Sequence, residues 1–156
     1  MTKPRLAVMP TRRRMLAASI GLGAWAIVVR PAQADSVELA AAVRAFAAGA
    51  AVRVGKVKLD VAPLVENGNT VPIMVSVDSP MTPEAHVKTI AVFNERNPQR
   101  EVAIFQLGPR AGRAMVSTRI RLATSQKLVA VARLSDGSVW SDGVDVIVTL
   151  AGCVEG

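Results

Sequence analysis

The chain has 156 residues, 51% of them apolar, which is enough for one domain with a packed core. Its single cysteine and single histidine exclude a closed four-ligand zinc site, a C-x-x-C redox pair and a C-x-x-C-H haem attachment. The formal net charge of +7 is misleading: residues 1–34 hold six of the 19 basic residues and no acid, and without them 13 basic residues face 12 acidic ones. A remainder at +1 lacks the clustered positive charge of a nucleic-acid-binding domain.

The first segment reads as an export address. "TRRRML" places adjacent arginines ahead of an apolar run, Leu16 to Val29, that is 14 residues long. A membrane-spanning helix needs roughly 20. "PAQA" then offers Ala32 and Ala34 in the small-x-small spacing of a signal-peptidase site. Residues 1–34 are therefore expected to be a twin-arginine (Tat) signal peptide cleaved before Asp35, leaving a periplasmic protein without a stable membrane anchor.

A short helix is predicted from Ser36 to Ala48, capped by the Ser36 hydroxyl, ended at Gly49, and carrying Val37, Ala40, Val43, Phe46 and Ala47 near one side. Strands follow. Residues 56–62 and 70–78 alternate, with the turn "NGN" at 67–69 ahead of the second. Residues 86–94 and 101–107 pair around "ERNPQR", and 114–123 puts Val116, Thr118, Ile120 and Leu122 opposite Arg119 and Arg121. "KLVAVARL" meets "SVW" across Asp136-Gly137, a hairpin signal because both residues tolerate positive φ. Residues 143–150 close the series with Val144, Val146, Val148 and Leu150 on one face. About seven short strands with turns between them predict an all-β fold, an immunoglobulin-like antiparallel β-sandwich over residues 35–150 with a short N-terminal helix.

Most chemistry-bearing groups have plain structural readings. His86 in "TPEAHVK" is a better solvated or partly packed side chain than a general base. Met74, Met81 and Met115 with His86 sketch a copper site only at irregular spacing, and core filling suits methionine better. "GPRAGR" at 108–113 lacks the Lys-Ser/Thr of a phosphate loop. Asp142 and Asp145 read as solvated turn carboxylates.

Cys153 remains, in "LAGCVEG" at 150–156. If the last strand ends near Leu150, the thiol stands roughly 10 Å beyond the sheet. Gly152 then serves as a thin, bendable stalk, so residues 151–156 form a flexible carrier tail. A nucleophile on such a tail fits a covalent carrier. A small hydrophobe tucked against the sandwich, or a disulfide-linked homodimer, are the other readings of the same thiol.

Three stretches, "VENGNTVPI" (65–73), "STRIRLATSQKLVAVARLSDGS" (117–138) and "VTLAGC" (148–153), resemble the SoxY family, the sulfur-carrying subunits of the periplasmic thiosulfate-oxidising Sox system. The resemblance implies a non-enzymatic carrier that pairs with a SoxZ-like subunit and uses no cofactor beyond the covalently held sulfur. Cys153 would be the attachment point and Gly152 its flexible neighbour. The implied partners are the c-type cytochrome SoxAX, the hydrolase SoxB and the sulfane dehydrogenase SoxCD. The family's tail is typically Gly-Gly-Cys-Gly-Gly, whereas this one reads Ala151, Gly152, Cys153, Val154, Glu155, Gly156. That departure leaves a divergent SoxY-like carrier, or a binding module for another periplasmic oxidation pathway, as the alternative.

Overall fold

A computed structural model describes residues 31–152, with side chains from Asp35 onward. The twin-arginine run, the apolar segment after it, and Cys153 to Gly156 lie outside the described residues. One helix, α1 (Pro31–Ala47), precedes nine strands: β1 (Val52–Val54), β2 (Val57–Asp60), β3 (Leu64–Asn67), β4 (Val71–Val77), β5 (Val87–Asn94), β6 (Glu101–Gln106), β7 (Met115–Ile120), β8 (Gln126–Leu134) and β9 (Val139–Leu150). Among the described residues no helix is long and apolar enough to cross a membrane.

The strands form an immunoglobulin-like sandwich of two sheets. The larger runs β1-β9-β8-β5-β6, with β3 also on β9; the smaller runs β2-β4-β7. Their inner faces meet in one core of Val57, Leu59, Val71, Ile73, Val75, Ile90, Val92, Leu122, Leu128 and their neighbours. Strict alternation in β4 puts Val71, Ile73, Val75 and Val77 inward and Pro72 and Met74 outward, the period-2 geometry of a half-buried strand.

Strand β5 departs from alternation because both of its faces are covered. Ile90 and Val92 enter the sandwich core, while Ala91 and Phe93 face α1 with Val131 and Val139. The helix meets them with Leu39, Ala42, Val43, Phe46 and Ala47, the i, i+3, i+4, i+7, i+8 stripe of an amphipathic helix. The expected stripe is thus corrected at two positions, since Val37 is 63% exposed and Ala40 also faces outward. Phe46 packs edge-on against Phe93 at 5.9 Å between ring centroids. The helix start is corrected too: it begins at Pro31, so Ser36 lies inside it rather than capping it. Arg100 holds the helix from the side, 3.2 Å from Asp35 and 2.5 Å from Glu38.

Two strands were not legible as such, and two expected strands merge. Residues 139–150 form one continuous β9 whose antiparallel partner is β8, from Gln126↔Val146 to Arg133↔Val139. The opposite edge of β9 is covered in tandem by β1 and β3, both parallel to it. Strand β2, which lies between them in the chain, belongs to the other sheet. The tight turn before β9 is closed by Asp136, whose carboxylate accepts from the Ser138 hydroxyl at 2.7 Å and the Ser138 N–H at 2.8 Å. Those bonds, the hydroxyl's first, hold the Asp136 carboxyl below its ordinary pKa.

Candidate functional site

The end of β9 is where the chain turns toward Cys153, and its surroundings are built almost wholly from backbone. Gly68, in the turn after β3, donates its N–H to the Leu150 carbonyl at 2.8 Å. The Gly68 carbonyl accepts from Leu122 N–H at 2.8 Å, and the Leu122 carbonyl accepts from Gly152 N–H at 2.9 Å. Three chain segments are thereby locked into one junction. They approach so closely that a Cβ at Gly68 would fall against the Leu122 carbonyl oxygen and 2.8 Å from the Gly152 nitrogen. A Cβ at Gly152 would lie 2.8 Å from the Leu122 oxygen, 2.9 Å from Arg121 Cγ and 3.0 Å from the Gly68 oxygen.

Gly152 is buried and hydrogen-bonded, and its lack of a side chain permits this close backbone approach. The anchored chain reaches Gly152, two residues past the strand.

Polar side chains brace the junction from two directions. Asn97, in the β5–β6 turn, donates through Nδ2 to the Arg121 carbonyl at 2.7 Å and accepts through Oδ1 from Ala123 N–H at 3.0 Å and Gln126 Nε2 at 2.7 Å. It thus clamps the peptide on either side of Leu122. Ser125 Oγ accepts from Val148 N–H at 2.9 Å, and Thr149 Oγ1 donates to the Glu66 carbonyl at 3.2 Å. Sequence reasoning missed Gly68, Asn97 and Leu122. "NGN" was visible only as a turn, and nothing local tells that its glycine is buried against two distant segments.

The remaining candidates are dispersed. His86 Nδ1 lies 3.2 Å from the Thr82 carbonyl, beside a cavity of about 110 Å³ that Ser135 and Asp136 also line. Ser135 Oγ is engaged with backbone, accepting from His86 N–H at 3.1 Å and donating to the Glu84 carbonyl at 3.2 Å, so no nucleophilic triad forms. Met81 is buried, its sulfur 3.4 Å from Val87 N–H, whereas Met74 and Met115 are exposed on β4 and β7 of the smaller sheet. Among the described residues no three His, Cys, Asp or Glu side chains gather as metal ligands. "GPRAGR" forms a 3-10 turn at Pro109–Ala111 between β6 and β7. Asp142 is not a turn residue: it sits in β9, and its Oδ2 accepts from Leu59 N–H of β2 at 2.9 Å.

Comparison with known proteins bears on this junction. The family model of "Sulfur oxidation protein SoxY" matches residues 42–153. The chain belongs to the SoxY family. The match takes in all three segments of the junction and includes Cys153. Among solved structures, the sulfur carrier protein SoxY from Chlorobium limicola f thiosulfatophilum is 26% identical with a TM-score of 0.62, covering 74% of this chain and 99% of that one. Superoxide reductases share the fold alone. The one from Ignicoccus hospitalis is 17% identical at TM-score 0.54, covering 60% of this chain and 80% of that one. The one from Nanoarchaeum equitans is 12% identical at 0.52, covering 62% and 100%. No curated protein matches. SoxY membership and the Chlorobium structure together support a sulfur-carrier role within a Sox-type system.

Proposed function

We propose that this SoxY-family chain carries sulfur intermediates covalently on Cys153 during periplasmic thiosulfate oxidation, and that it presents them to partner enzymes without being an enzyme itself. The observation that carries the reading is the family match running from α1 to Cys153, together with a junction that holds the chain up to Gly152. A covalent carrier needs a tip that moves and a root that does not. The junction supplies the root, at Gly152.

The chemistry follows from the thiol. Near neutral pH a free cysteine is a few per cent thiolate. Joining the outer sulfur of thiosulfate to Sγ forms one S–S bond, releases the thiol proton and removes two electrons. A c-type cytochrome of the SoxAX kind is the electron acceptor in this reading. Hydrolysis at the sulfonate end by a SoxB-like hydrolase adds water's hydroxyl to the terminal sulfur, releases sulfate and leaves a persulfide on Cys153. A SoxCD-like dehydrogenase then passes six electrons from the outer sulfur to a c-type cytochrome while three waters supply its oxygens, and a second hydrolysis releases that sulfur as sulfate and restores the thiol. A SoxZ-like subunit is the proposed stable partner, and the twin-arginine leader of residues 1–34 the export signal.

Intact-protein mass spectrometry tests the reading directly, before and after reduction, on protein isolated from the periplasm of thiosulfate-fed cells. Reducible sulfur or S-sulfonate adducts, absent from Cys153→Ser, are expected. A bare thiol or a simple disulfide dimer throughout, in cells whose oxidation system is active, would overturn it and leave a binding module that kept the fold.

A further inference from the structure

We infer that the edge of β6 is a docking site for an extended, acidic segment of a different polypeptide chain, which joins the larger sheet as its next strand. The sandwich is closed on one flank and open on the other. On the closed flank β1 and β3 cover β9, and Asp142 of β9 takes the outward N–H of β2 at Leu59. With β2 beside β9, β7 stands at the other end of the smaller sheet, on the side of β6. Asn97 ties that flank together, reaching from the β5–β6 turn to the Arg121 carbonyl just past β7.

Among the described residues β6 pairs with β5 alone. Leu107 N–H bonds the Lys88 carbonyl at 2.8 Å, and Phe105 and Ala103 stand opposite Ile90 and Val92 in the same ladder. Antiparallel pairs alternate between bonded and non-bonded, so the N–H and C=O groups of Ile104 and Gln106 point away from β5. Apolar surface lies beside them: Ile104 is 42% exposed, and Val102, Phe105 and Val116 of β7 are only partly buried against the core. Edges are ordinarily blunted by Lys, Pro or a bulge. "EVAIFQ" has neither residue, and the register shift between Val92 and Phe93 touches only its start. The rim selects the sign of the partner. Residues 101–120 hold Arg110, Arg113 and Arg119 against a single acid, Glu101, and all four are exposed. A second copy docked edge to edge would set these cations against their own kind. The occupant is therefore a different chain, apolar at alternate positions and acidic between them.

The test titrates the purified, reduced chain with two synthetic octapeptides, one alternating valine with glutamate and the other valine with lysine, and follows amide exchange residue by residue. The glutamate peptide is expected to slow exchange at Ile104 and Gln106, and to bind about tenfold more tightly than the lysine peptide, a difference that shrinks at high salt. Methylating alternate amide nitrogens of the glutamate peptide should abolish its binding. Ile104→Pro removes one outward N–H and leaves the β5 ladder whole, a position where an edge strand accepts proline; it should also abolish binding. Should that variant melt early, Arg113→Gln combined with Arg119→Gln leaves the backbone untouched and should weaken the glutamate peptide about tenfold. Equal affinity for the two peptides, or unprotected Ile104 and Gln106 at millimolar peptide, overturns the inference. Self-association of the chain that protects the same two amides overturns it in favour of a second copy. None of these outcomes touches the carrier reading, which stands or falls on adducts at Cys153.

Discussion

A methyl group at Gly68 has no space to enter. Its nearest neighbours are the Leu122 carbonyl and the Gly152 nitrogen, backbone atoms held by their own hydrogen bonds, so relief requires three segments to part. Gly68→Ala is expected to destabilise the fold by about 2–3 kcal/mol, the range of an overpacked core. Gly143 in β9 supplies the control. There an added Cβ meets the end of the Lys127 side chain at 3.3 Å, which swings away, and the Leu128 carbonyl at 3.4 Å. Gly143→Ala should stay within about 1 kcal/mol of the parent, helped by reduced freedom of the unfolded chain. Urea midpoints for the two variants check this, and equal losses would show that the junction yields. At this scale the sequence singles out Cys153 by its scarcity, and it is illegible for Gly68, Asn97 and Leu122 of the junction. Close backbone approach leaves no mark except a glycine, and a glycine beside two asparagines already has an explanation as a turn.

Single elements were legible where one face meets water. Strands β2 and β4 alternate cleanly and were placed within a residue or two of their observed bounds. Strands β1 and β3 are three and four residues long and find their partner in β9, more than eighty positions later in the chain, so no local period announces them. The helix was found but its buried stripe was misassigned, because an alanine-rich segment offers several apolar stripes of similar quality. The side facing Phe93 and Val139 is selected by the sheet, not by the helix. Leu39, only 5% exposed, is the residue that settles the orientation. Leu39→Ala should cost about 2–4 kcal/mol, as for other leucine truncations in a packed interior. Val37→Ala, on the outward side, should cost no more than about 0.5 kcal/mol. Thermal or urea melts of the pair decide the matter, and a larger loss at Val37 would contradict the packing described above.

At the scale of the whole molecule, two sheets that share an apolar core still need a fixed offset, and hydrophobic burial is non-directional. Asp142 supplies direction. From β9 of the larger sheet its Oδ2 receives the Leu59 N–H of β2 in the smaller one at 2.9 Å, while Oδ1 receives Gly143 N–H at 2.9 Å. Strand β2 is an edge strand that pairs only with β4, so this carboxylate also satisfies a donor that no neighbouring strand reaches. Such a pairing is invisible in sequence because it joins residues 83 positions apart across a sheet boundary; the same carboxylate read alone is a solvated turn residue. Removing one partner of this part-buried bond costs part of the desolvation of the other, about 1 kcal/mol. Asp142→Ala is expected to lose that much. Asp142→Asn keeps one acceptor oxygen for Leu59 and should lose less than half of it. Asp145, exposed and opposite Lys127 in the β8–β9 register, is a surface charge, and Asp145→Ala should change stability by under about 0.5 kcal/mol. Amide exchange at Leu59 adds a local readout: it should accelerate in Asp142→Ala beyond the global loss of stability and remain slow in Asp142→Asn. Equal exchange in all three variants would mean that the two sheets are held in register by packing alone.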